Sequence, residues 1–178
     1  MANSVRPSYT ARPGEAIRVF RDDDGSFAIG LGRIKIAPDD VRFVGDVVGD
    51  LGRIVHTPEG EDALRRGDAI GHTIWITKPE PPTEPPNAWI VPDDIVAATS
   101  PSSSVGKAEG STTVLRGTGA GCGSTIVYNP ADWPGHGDPR SPSSVAVLLM
   151  MLRQANLNAA GKSDPSIPDW GTEAEADR

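Results

Sequence analysis

Few residues in this chain have the chemistry of a reactive centre, and their spacing limits what they can do. Cys122 is the single cysteine, and His56, His72 and His136 are the only histidines. One cysteine excludes an internal disulfide and any all-cysteine metal cage. A loop thiol with His136 nearby in sequence is the one nucleophile-and-base pairing on offer. The glycines around Cys122 favour the plainer reading of a small buried filler, with His136 a loop residue. No Ser-His-Asp arrangement is recognisable. The acidic run Asp22-Asp23-Asp24-Gly25 has the start of a calcium loop, but the spaced carboxylates and distal glutamate are missing, so it reads as a tight turn. In Gly117-Thr118-Gly119-Ala120-Gly121-Cys122-Gly123, glycine at every second position suits a close turn. It lacks the dinucleotide-binding spacing and opens no helix, so it is not a phosphate cradle.

Composition narrows the partners. Lys plus Arg number 17 against 24 Asp plus Glu, a formal charge of −7 that argues against nucleic acid or an anionic membrane surface. With 178 residues, 20 Gly, 17 Pro and 5% aromatics, one loop-rich domain with a lean core is expected. No stretch approaches a membrane span, and Met1 to Thr10 has no apolar run of signal-peptide length.

The elements that would position these residues follow from periodicity. Residues 1–13 are polar and proline-containing, a flexible arm, which leaves 14–178 as the domain. Ile17, Val19, Phe27, Ile29 and Leu31 alternate around the acidic turn and predict a β-hairpin, extended by Ile34 and Ile36. After Pro38-Asp39-Asp40, Val44, Val47, Val48, Leu51 and Val55 recur at helical spacing. Gly45, Gly49 and Gly52 cost that helix roughly 1 kcal/mol each, which predicts a neighbour packed close to its backbone. Thr57-Pro58-Glu59 caps a second helix running to about Arg66 and ended by Gly67-Asp68. Strands are expected at 72–77, with Ile74 and Ile76 on one face and Trp75 on the other, and at Trp89-Ile90-Val91, 112–115 and 124–128. The proline-rich segment 79–86 is a stiff spacer; Pro82 and Pro85 also have polyproline-ligand spacing. Residues 100–110 read as a polar loop, and 129–142 as a second proline-rich loop. The strongest helix is 145–160, capped by Pro142-Ser143-Ser144 and stopped by Gly161-Lys162, with a core stripe of Val145, Leu148, Leu149, Leu152 and Ala159. The fold class is α+β: a small mixed sheet with a hairpin, two helices in the N-terminal half, and the long helix packed across the sheet.

An ordered set of segments carries a family resemblance. Gly117-Thr118-Gly119 leads through Ser124-Thr125-Ile126-Val127-Tyr128-Asn129-Pro130 and a proline-rich loop to a capped apolar helix ending Asn158-Ala159-Ala160-Gly161. Upstream lie Asp46-Val47-Val48-Gly49-Asp50-Leu51, His56-Thr57-Pro58-Glu59-Gly60 and the strand at 74–77. This succession resembles bacterial effector zinc metallopeptidases of the NleD-like class, type III and type VI effector proteases injected into a target cell. The resemblance implies a zincin-type helix at 145–160 carrying H-E-x-x-H, two histidines holding zinc beside a glutamate that activates water.

This chain departs from that motif throughout. By helix register the histidine positions fall on Met150 and Gln154, the catalytic glutamate on Met151, and a further histidine near Leu157. Thioethers bind Zn2+ poorly and a carboxamide is no general base, so neither zinc nor catalysis is expected. At about 100° per residue, Met150, Gln154 and Leu157 share a narrow wedge distinct from the core stripe, a former site face now mostly apolar. The plainer alternative makes Met150, Met151 and Leu157 ordinary packing residues of a buried helix. The resemblance also places a third-ligand helix near Asp169-Trp170-Gly171-Thr172, with Glu173 or Glu175 at the ligand position; a domain truncated within that helix, or a solvated acidic tail, is expected.

The function expected is an effector-type metallopeptidase-like domain in a non-catalytic form, a pseudoenzyme or a disarmed peptidase. Its partners would be a target-cell protein, an immunity protein or the secretion apparatus, and it would occupy the bacterial cytoplasm before delivery. The alternative is a non-enzymatic cargo or binding module of a secretion or contractile injection system.

Overall fold

The computed structural model describes residues 18–30, 32–38, 40–80, 88–107, 112–130 and 143–164. The expected arm at 1–13, residues 81–86 of the 79–86 spacer, Trp133 and His136, and the segment with Glu173 and Glu175 lie outside the described residues.

Strand β1 (Val19–Arg21) and strand β2 (Phe27–Ile29) form the expected antiparallel hairpin. Its turn closes through Gly25, whose φ of 87° suits a residue without Cβ. Repulsion within the acidic turn is reduced by a single cation, because Lys35 Nζ lies 2.8 Å from Asp22 and 2.6 Å from Asp24. Lys35 belongs to β3 (Ile34–Ile36), which pairs antiparallel with β2, and its ammonium sits 5.4 Å from the centre of the Trp75 ring.

Helix α1 (Val41–Val55) starts where the Asp40 carboxylate accepts from the backbone N–H groups of Arg42 and Phe43, at 2.9 and 3.3 Å. It buries Phe43, Val44, Val47, Leu51 and Ile54. Val48 and Val55, expected in the stripe, are only partly buried. The expectation about its glycines fails: a Cβ on Gly45, Gly49 or Gly52 would meet nothing within 4 Å. The close approaches lie on helix α2 (Pro58–Ala69), capped by Thr57 Oγ1, which accepts from Gly60 N–H at 3.1 Å. A Cβ on Gly60 would land on the Ile54 carbonyl, and one on Gly67 would come within 3.2 Å of Asn156 Oδ1 and 3.3 Å of the Ile34 and Ile74 Cδ1 atoms. Gly67 therefore does not end α2, which continues to Ala69; it lets the helix seat on the sheet.

Strand β4 (Ile74–Thr77) returns parallel to β3, as a helical crossover allows. Strand β5 (Trp89–Pro92) leads into a single turn, α3 (Ile95–Ala98), capped by Asp94. Residues 100–110, expected as loop, contain strand β6 (Ser104–Lys107), which pairs with β7 (Val114–Arg116) in a separate two-stranded sheet. Strand β8 (Ser124–Val127) lies between β4 and β5, and helix α4 (Ser144–Ala159) follows. The main sheet has the order β1-β2-β3-β4-β8-β5, with β3, β4 and β8 parallel. The fold is therefore α+β with a mixed sheet. Ile34, Ile36, Ile74, Ile76 and Ile126, each at most 1% exposed, form one core with the inner faces of α1, α2 and α4. Among the described residues no helix is long and apolar enough to cross a membrane.

Candidate functional site on helix α4

Helix α4 is fastened at both ends by polar contacts to distant parts of the chain. At its start, Ser143 Oγ accepts from Ala146 N–H at 3.2 Å, and Ser144 Oγ lies 3.3 Å from Asp50 Oδ2. Asp50 is 4% exposed in the buried face of α1. It also accepts from the hydroxyl of Tyr128, just beyond β8, at 2.5 Å, and from Arg53 at 2.8 Å. Burial, and the Asp50 carboxylate that accepts its proton, push the Tyr128 phenol far above its ordinary value. Asp50 thus joins α1, β8 and the first turn of α4.

The other end is held by a buried amide and hydroxyl cluster. Gln154 Nε2 donates to Ser163 Oγ at 3.0 Å and to Asn158 Oδ1 at 3.3 Å, and Asn158 Oδ1 also accepts from Ser163 Oγ. Asn158 Nδ2 donates to Ser124 Oγ at 2.9 Å. Gln154, Asn158, Ser163 and Ser124 are all fully buried. The backbone completes the clamp: Ser163 N–H donates to Ala98 O at 3.1 Å, Ser100 N–H to Ser163 O at 2.9 Å, and Cys122 N–H to Asn158 O at 3.2 Å. The glycine-rich segment 117–123 is therefore no hairpin turn. It carries the chain from the small sheet to the large one, pressed so closely on its neighbours that a Cβ on Gly117 would strike Thr99 O and one on Gly121 would strike Ala159 O.

The residues singled out from sequence fall along this helix. Met150 is half-buried and packs against the core, Met151 is 6% exposed within it, Gln154 is fully buried, and Leu157 is half-buried. The wedge of 150, 154 and 157 is thus not separate from the core: Gln154 is as buried as Leu148 and Leu152. Nor are its surroundings apolar, because Gln154 meets Asn158 and Ser163. Gln154 Oε1 has no hydrogen-bond partner among the described residues, and neither has Asn156 Oδ1, whose amide nitrogen donates to Ala63 O at 2.9 Å. Native interiors leave few such groups unpaired. Cys122, 8% exposed, donates its thiol proton to Asp94 O at 3.3 Å, and burial pushes that thiol up, which suits a filler rather than a nucleophile.

Zn2+ is the cofactor the resemblance implies, and the residues at its ligand positions do not fit it. The thioether of Met150 and the amide of Gln154, whose nitrogen is already engaged, supply neither thiolate nor imidazole, and the third position, Glu173 or Glu175, lies outside the described residues. Among the described residues no three His, Cys, Asp or Glu side chains gather where they could hold a metal ion. What the sequence reading missed was the polar anchoring. Asp50 lies between Val47 and Ile54 in the buried stripe of α1, and Gln154, Asn156 and Asn158 punctuate the apolar run of α4, so the signal was present in the spacing. Compared with known proteins, the chain matches no family model, no curated protein and no solved structure.

Proposed function

We propose that this chain is an effector-type metallopeptidase-like domain that has lost hydrolysis and kept the scaffold. The observation that carries the reading is Gln154: a fully buried side chain whose Oε1 has no hydrogen-bond partner among the described residues, at the position where the family resemblance puts a zinc-binding histidine. Sequences break local rules at functional or strained sites, and a buried acceptor without a partner among the described residues is such a break. The proposed descent accounts for it as the one matched position that stayed polar, Met150 and Met151 having taken apolar side chains. Delivery into a target cell, an immunity partner and a secretion apparatus belong to the same proposal. A second reading, a non-enzymatic cargo or binding module, is favoured by the burial of both Met151 and Gln154, which leaves these side chains little access to a substrate. The two share a non-catalytic chain and differ in its ancestry.

The test combines Met150→His, Met151→Glu and Gln154→His in the full chain and titrates the folded variant with zinc. Peptidase ancestry predicts saturable uptake of one zinc per chain. A variant with native circular dichroism that takes up no zinc overturns that ancestry and leaves the module.

A further inference from the structure

We draw no further inference here: the strongest candidate, the exposed face of helix α1 formed by Val41, Gly45, Gly49 and Gly52, is a stripe of small residues, and nothing in the structure shows what covers it.

Discussion

Replacing Gly45, Gly49 and Gly52 by alanine should stabilise the protein, although none of the three new methyl groups would touch anything. All three sit inside α1 with ordinary helical backbone, and a Cβ at each has open space to 4 Å. The gain comes from the unfolded chain, in which alanine has less freedom to lose than glycine. Host–guest helices put it at about 0.8–1.0 kcal/mol per site, or about 2.5 kcal/mol for three sites that share no packing partner. For a chain of this size, that corresponds to a rise in Tm of about 5–10 °C. Thermal unfolding followed by circular dichroism, with urea midpoints as a check, reads the effect. The opposite sign is expected at Gly60 of α2, where an alanine methyl would strike the Ile54 carbonyl oxygen, backbone that cannot swing aside as a side-chain end can, and stability should fall. At Gly67→Ala the methyl would sit 3.2 Å from Asn156 Oδ1 and 3.3 Å from two isoleucine Cδ1 atoms, which must give by a few tenths of an ångström. A cost of about 1 kcal/mol there offsets the gain in helix propensity, so the change should be smaller than at any α1 site. Loss of stability in the α1 triple variant, or unchanged stability at Gly60, would refute the assignment of open and closed helix faces.

The polar anchors of α4 make three further predictions. Gln154→Leu removes two hydrogen bonds of about 1 kcal/mol each together with an orphan acceptor that costs about 1–3 kcal/mol, so its urea midpoint should stay near that of the parent. Asn158→Leu instead removes three buried hydrogen bonds, to Gln154, Ser163 and Ser124, leaving the Ser163 hydroxyl without its acceptor and Ser124 Oγ without its amide donor, and should destabilise by about 3 kcal/mol in the same assay. Tyr128→Phe deprives the buried Asp50 carboxylate of a donor, with an expected loss of about 1.5–3 kcal/mol. With pH, both limits have a definite sign. Lys35 holds the Asp22 and Asp24 carboxyls below their ordinary range, and Lys78 does the same for Asp40, so their stabilisation is complete above about pH 4 and is lost as pH falls below it. Tyr128 titrates far higher folded than unfolded, so stability should also decline as pH rises past about 10, and Tyr128→Phe should flatten that alkaline limb.

The elements most legible in the sequence were those with a strong period. The hairpin around Asp22–Gly25, the alternation of Ile74 and Ile76 about Trp75, the capped start of α2 and the whole of α4 followed from local pattern. Strand β6 and turn α3 did not, because Ser102-Ser103-Ser104-Val105-Gly106 has no alternation and owes its strand to pairing with β7. The role of a glycine was equally hidden. Gly45 and Gly67 look alike in sequence, and only the neighbours separate an exposed residue from one that seats a helix on the sheet. At the candidate site, register placed Met150, Met151 and Gln154 on one helix. Register puts Asn158 one turn from Gln154 but could not reveal Ser163, which backbone hydrogen bonds to Ala98 and Ser100 hold against it, or Ser124, which closes the cluster from β8.

The central claim, a peptidase-like scaffold without its hydrolytic centre, is tested most directly by the zinc content of the unaltered full chain, purified from zinc-supplemented culture without chelator and measured by elemental mass spectrometry. The account predicts zinc far below one equivalent and no difference between the parent and Gln154→Leu. One tightly held zinc per chain, lost on Gln154→Leu, would contradict it.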